Sequence, residues 1–219
     1  MNYYVLMNDY KSSLIPRYLH ALVDTKKQVN ENWDYEGSDY SFPYYMKELE
    51  CPDSLFLLCN RNVGALNFNY YFHGSGHIAS NKFIDLFNDL KTCEIISKNL
   101  IATSIKDGSV IRDDFNYLYF IGNDDFLDLN NSELEEDRSG SLMPHKLIIN
   151  NPSNIDVFTI RSTLLADFLI FSESAVEKFL KMKISGVKIV PLDEAFKNYC
   201  LDYGYDIGSS RKRVKRKLP

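Results

Sequence analysis

The stretch from Phe168 to Leu192, FLIFSESAVEKFLKMKISGVKIVPL, constrains the fold more than any other part of the chain. Phe168 to Phe171 is a short apolar run with strand character. Ser172 then stands where a helix needs an N-cap, its hydroxyl able to accept an amide hydrogen of the first turn, and Glu173 suits the positive helix end. Ala175, Val176, Phe179, Leu180 and Met182 form a one-sided apolar face, while Lys178, Lys181 and Lys183 gather toward the negative end. Gly186 is the expected helix stop, Val187 to Val190 resume as strand, and Pro191 ends them. The reading is strand, capped helix, glycine, strand.

A looser copy lies about ninety residues earlier, IASNKFIDLFNDLKTCEIISKNL. Ser80 is its expected cap, Phe83, Ile84, Phe87 and Leu90 its apolar face, and Cys93 to Ile96 its return strand. Duplication and independent reuse of one supersecondary plan both account for the recurrence. Either way the serines are read as caps and not as nucleophiles, because the sequence assigns neither of them a base.

Around these units the strand signals follow one another without strict alternation with helices. Tyr3 to Met7 reads as a buried strand, and Leu14 to Val23 as a short helix with Ile15, Leu19, Leu22 and Val23 on one face and Pro16 in its first turn. Leu55 to Cys59 and Gly64 to Phe72 read as two strands joined by a turn at Asn60 to Asn62, and two more strands flank Lys106 to Gly108. KLIIN and IDVFTI resume the strand signal, and DEAFKNYCLDYG reads as a last helix. The expected class is α+β with largely antiparallel sheet and a few short helices. Residues 1–206 are expected to form one body, or two packed lobes of about 1–105 and 106–206, followed by a flexible tail, 207–219.

With 219 residues, 45% of them hydrophobic, the chain can bury a substantial core. No apolar run approaches the ~20 residues that span a bilayer, and MNYYVLMNDYKSS lacks the pattern of a secretory leader, so a cytoplasmic protein is expected. The four cysteines are widely spaced and read as free thiols. Neither a metal site nor a cofactor is expected.

The net charge of −5 conceals an asymmetry. Six of the 25 basic residues lie in the tail, from Arg211 to Lys217; the other 19 face all 30 acidic ones, a net of −11 for the body. Such a body repels nucleic acid and attracts cationic protein surfaces, chiefly by speeding encounter. Nucleic-acid contact is expected to be weak at most and confined to the tail.

Catalytic patterns are sparse. His73 and His77 in HGSGH have the spacing of helical metal ligands, but Gly74 and Gly76 oppose a helix there, and a turn is expected. HGSG lacks the lysine of a phosphate loop. The pairs Asp113-Asp114 and Asp124-Asp125 lack the enforced proximity that tunes two carboxylates apart.

The segment from VFTIRS through LADFLIFSESAVEKFLKMKISGVKIVPLDEAF, together with the MNYYVL start, resembles the immunity proteins of bacterial polymorphic-toxin and contact-dependent competition systems. Phe158, Ser172, Glu173, Gly186 and Pro191-Leu192 carry the resemblance, which lies mainly in residues 155–196. It implies a protein that binds and neutralises a cognate toxin; together with the acidic body, it leads to the expectation of a non-enzymatic inhibitor that occludes the toxin's active site stoichiometrically. The toxin-facing residues do not follow from the resemblance; they are placed by charge density and aromatic content. The candidates are Asp124, Asp125, Asp128, Glu133, Glu135, Glu136 and Asp137, in a segment from Asn123 to Ser141 expected to be an exposed loop. Trp33 and Tyr35 are the expected aromatic anchors, with Tyr40, Tyr44 and Tyr45 near them in a long loop from Val29 to Pro52. Two alternatives stand beside this reading: a small hydrolase that reverses a toxin's modification, using HGSGH, and a nucleic-acid-associated protein acting through the tail.

Overall fold

In the computed structural model of the chain, the residues described are 2–34, 54–61, 63, 66–74, 76–151 and 153–210. They form a mixed α+β fold around two principal sheets, largely antiparallel. The first sheet has the order β10-β11-β1-β12, with β1 (Tyr3–Asn8) between β11 (Ile170–Ser172) and β12 (Val187–Pro191), and β10 (Val157–Phe158) outermost. Both neighbours run antiparallel to β1, in register Val5 to Ile170 and Val5 to Val190. Val5, Leu6 and Met7 are almost fully buried in consequence, as the continuous apolar run at Tyr3 to Met7 requires of a central strand.

The second sheet has the order β2-β3-β6-β7-β5-β4, built from β2 (Ala21–Asp24), β3 (Ser54–Cys59), β4 (Tyr70–His73), β5 (Gly76–Ser80), β6 (Ile95–Ser104) and β7 (Val110–Phe120). Its longest pair is the hairpin β6–β7, turned at residues 106–108 as the sequence indicates. One pairing, β3 with β6, is parallel. Strand β3 therefore does not form the expected hairpin with the segment after it. Residues 66–69 lie outside any strand, and β4 pairs instead with β5 on the far side of β7.

The two recurrent stretches fold alike. Strand β5 leads into α1 (Asn81–Ile84) and a 3-10 turn, Asp85–Asp89, then into β6; β11 leads into α2 (Glu173–Met182), then into β12. In each unit the two strands run parallel to one another but are separated by a third, antiparallel strand: β7 in the first, β1 in the second. A further strand, β4 or β10, flanks each unit on the same side. The second unit thus takes its central strand from the other end of the chain.

Both caps form. The Ser80 hydroxyl accepts from the Phe83 amide at 3.4 Å, and the Ser172 hydroxyl from the Ala175 amide at 3.3 Å. Helix α2 ends differently from expectation: Lys183, at φ 51°, makes the left-handed stop, one turn before Gly186. The helix α3 (Leu192–Tyr203) forms as expected, with Gly204 left-handed at its end, and α4 (Ile207–Ser210) follows.

The expected helix from Leu14 to Val23 is absent. Ser12 to Leu19 makes turns and bends, and Ala21 enters β2. Ile15 and Leu19 are buried all the same, at 5% and 6% exposure, so the apolar spacing reflects core contacts made by an irregular segment. His20, at φ 42°, reverses the backbone between that segment and β2.

A shared apolar cluster ties the sheets together: Leu6 and Phe171 from the first, Tyr70, Ala79, Leu118 and Phe120 from the second, with Phe83 and Phe179 from the helices between. The fully buried Asn8 adds a polar clasp. Its side chain accepts from the Phe72 amide at 2.7 Å and donates to the Phe72 carbonyl at 3.1 Å, imitating a strand pair between β1 and β4.

Candidate functional site

The acidic segment from Asn123 to Ser141 is not the exposed loop its composition suggests. Asn123 accepts from the Asp125 amide at 2.8 Å and opens a 3-10 turn, Asp124–Phe126. The Phe126 ring packs 4.5 Å from that of Phe158, and Leu127 is buried at a bridge to Ile149. Beyond them β8 (Glu133–Glu136) pairs with β9 (Leu142–Lys146) as a separate two-stranded sheet. Leu134 packs on the core beneath it, which explains why so charged a segment is ordered.

Its carboxylates divide into two groups. Asp124 is engaged internally: it accepts from the Arg161 amide at 2.8 Å, the Ser162 amide at 3.1 Å and the Ser162 hydroxyl. Asp128 accepts from the backbone and side chain of Asn131 at 3.2 and 2.7 Å, and those bonds lower its pKa. Asp137, only 4% exposed, is held hardest. It accepts from the Ser139 hydroxyl at 2.7 Å, the Tyr205 hydroxyl at 2.7 Å, and the amides of Ser139 and Ser141 at 2.8 and 2.9 Å. The Ser139 and Tyr205 hydroxyls hold its carboxyl far below the usual range. The D-R-S-G-S pattern at Asp137 to Ser141 is the one local signal of this, a side chain satisfying the amides of its own turn.

The remaining four are less enclosed, although the Asp125 carboxylate accepts from the Asn123 side chain at 2.7 Å. Asp125, Glu133 and Glu136 are exposed, and Glu135, half-buried, meets His145 at 3.0 Å across the hairpin. The hairpin itself is braced: His145 packs edge-on against Phe196 of α3 at 5.5 Å, and the Arg138 amide bonds the Ser210 carbonyl of α4. The segment is thus an ordered acidic ridge in which Asp124, Asp128 and Asp137 bond within the fold, Glu135 pairs with His145, and Asp125, Glu133 and Glu136 are exposed.

Trp33 belongs to another neighbourhood. It sits half-buried in a turn after β2, with φ 65°, its amide bonded to Asn30 at 2.9 Å; Asn30 in turn bonds Ile105 beside the β6–β7 turn. Tyr35, Tyr40, Tyr44, Tyr45 and the tail from Arg211 to Lys217 lie outside the described residues.

The catalytic candidates take structural positions. His73 pairs with Gly76 and Phe72 with His77 across the β4–β5 hairpin, so the two imidazoles face opposite sides of the sheet. His77 is fully buried with Nδ1 2.7 Å from the Tyr70 hydroxyl, and burial lowers its pKa to about 3. Ser172, besides capping α2, donates to Asp156 at 2.7 Å, as Ser174 does at 2.6 Å. Asp156 is thereby spent on the turn before α2; burial opposes its ionisation, but these two hydroxyls and the Lys91 amide bring its pKa down on balance. Burial pushes the Cys59 thiol up to about 12 and that of Cys93 up to about 11, the reverse of what a nucleophilic cysteine requires. Among the described residues no three histidines, cysteines or carboxylates come together as a metal site, and no helix is long and apolar enough to cross a membrane.

The arrangement, an acidic ridge braced on a well-packed body, is suited to contact with another macromolecule. No curated protein matches the chain. The family model described as Immunity protein 43 matches residues 7–207, which include the end of β1, both recurrent helices with their flanking strands, and the whole acidic segment. The match covers nearly the entire body and extends well beyond the residues that carry the resemblance in the sequence, and on that ground the chain belongs to the Immunity protein 43 family.

Proposed function

We propose that the protein binds a cognate toxin domain stoichiometrically in the cytoplasm and covers its active site, with the ridge formed by Asp125, Glu133, Glu135 and Glu136 as a principal contact. Family membership implies toxin neutralisation. The observation that supports this mode is the division of the carboxylates: Asp137 holds the hairpin turn and Glu135 braces it through His145, while Asp125, Glu133 and Glu136 stay exposed. A rigid ridge of one charge favours rapid capture of a basic partner and loses little entropy on binding. Trp33 and Tyr35 would supply apolar contact from a second region. No cofactor enters this mechanism, and the chain acts as an inhibitor and not as an enzyme.

The test replaces Asp125 with Asn and Glu133 and Glu136 with Gln together, and measures association with the toxin at low and moderate salt. The expected result is an association rate reduced by roughly tenfold at low salt, with the difference shrinking as salt rises. Asp137→Asn serves as the contrasting variant, expected to lower the unfolding midpoint because it weakens the Ser139 and Tyr205 bonds. Unchanged association and unchanged cell protection in the triple variant would remove the ridge from the interface.

A further inference from the structure

Where the irregular segment before β2 meets the ends of β3 and β4, the surface holds a cleft of about 420 Å³ lined by Arg17, Tyr18, His20, Asn60, Tyr71 and His73. Its chemistry is opposite to that of the rest of the body. The lining carries one arginine and two histidines and no carboxylate, in a body with a large excess of acidic residues. None of the three is used in an ion pair with another described residue. Among the described residues the Arg17 guanidinium donates to the Asp202 carbonyl, at 2.8 Å, and lies 5.9 Å over the Tyr10 ring. His20 makes a ring contact with Tyr18 at 6.5 Å, and His73 one with Tyr117 at 6.3 Å; neither imidazole forms a hydrogen bond among the described residues, and Nδ1 of His73 is buried without a partner.

The Arg17 guanidinium meets no carboxylate in this lining, and an anion in the cleft would supply its counter-charge. Tyr18, 71% exposed, stands at the rim with its ring open to stacking. His20, held at φ 42° in the left-handed region, has a backbone that the chain maintains at some cost, and its carbonyl is fixed by the Asn60 amide at 3.2 Å.

We propose that this cleft is a binding site for a phosphate group, free or carried on a nucleoside monophosphate, with Arg17 as the charged anchor and His20 and His73 as further donors. A guanidinium offers phosphate paired N–H donors, and neutral imidazoles each add one. The site lies on sheet elements separate from the acidic ridge, so it is independent of the toxin-contact reading.

The test titrates the full-length protein with inorganic phosphate and, separately, with adenosine 5′-monophosphate, against chloride at matched ionic strength, following backbone amide shifts and heat. Saturable binding with shifts centred on residues 17–21, 60 and 71–73 is the expected result. Tighter binding of the monophosphate, lost in Tyr18→Ala, identifies a nucleotide as the source; equal binding of both identifies free phosphate. Arg17→Gln should weaken binding at least tenfold. Because Arg17 also holds the end of α3, His20→Asn provides a second variant, since asparagine tolerates the left-handed backbone while removing the imidazole. It too should weaken binding, with an unchanged unfolding midpoint. Absence of saturation with either ligand, or wild-type affinity in both variants, would overturn the proposal.

Discussion

Gly186 occupies a backbone conformation, φ 97°, that side chains rarely adopt, and a Cβ there would lie 2.8 Å from Ile15 Cδ1, Phe68 Cβ and the Tyr70 carbonyl oxygen. Gly186→Ala should therefore destabilise the protein by roughly 2 kcal/mol or more, through strain and overpacking together, read as a lower urea midpoint. The sequence marks this glycine but misassigns its task. A helix stop is a local event, and Lys183 performs it; the close approach of residues 15, 68 and 70 is visible only once the chain has folded. His77 provides a second residue-scale prediction. Its pKa is about 3 in the folded protein and 6.5 when unperturbed, so between those values the unfolded chain binds the extra proton and stability rises with pH. The contribution is complete above pH 6.5 and is lost as pH falls toward 3, with a limiting slope of ~1.4 kcal/mol per pH unit. His73, lowered by burial, acts in the same direction. Asp137 and Asp156, whose pKa values are depressed, lose their contributions only in the more acidic carboxylate range, so unfolding midpoints measured from pH 7 to 4.5 isolate the histidines. Replacing both Tyr70 and His77 with Phe should flatten that profile; an equally steep decline in the double variant would contradict the assignment.

At the scale of elements, α2 depends on one hydroxyl. Ser172 both caps the helix and bonds Asp156, so Ser172→Ala should cost about 1 to 2 kcal/mol in chemical denaturation. A loss well under about 0.5 kcal/mol would show that neither bond contributes much. Elements whose cause is local were legible: both caps, α3, the β6–β7 turn and the strand at Tyr3 to Met7 each follow from residues within a few positions. The failures share a different cause. Ile15 and Leu19 have helical spacing because two long-range contacts happen to fall four residues apart. The strand at Leu55 to Cys59 is legible, but its neighbours are not, since a parallel partner 45 residues along the chain, Ser54 opposite Asn99, leaves no turn signature between the strands. The charge of the acidic segment suggests a loop, whereas the apolar side chains of Phe126, Leu127 and Leu134 and the Asp137 clamp order it.

At the scale of the molecule, the first and second strand-helix-strand units share one apolar cluster, and the N-terminal strand completes the unit formed by the C-terminal third. Every residue that carries the resemblance in the sequence is a capping, packing or strand-end residue of that second unit or its flank. The scaffold was therefore readable and the partner surface was not. No periodicity records surface charges; charge density marks the acidic segment but does not separate Asp124, Asp128 and Asp137, which bond within the fold, from Asp125, Glu133 and Glu136, which are exposed. The central claim is that the acidic ridge serves a protein that acts by occupying its toxin. It is tested most directly by titrating the activity of a fixed, micromolar concentration of the cognate toxin domain with this protein. A linear fall to zero at one equivalent is the predicted result; full suppression at a small fraction of an equivalent, or activity persisting beyond several equivalents, would contradict it.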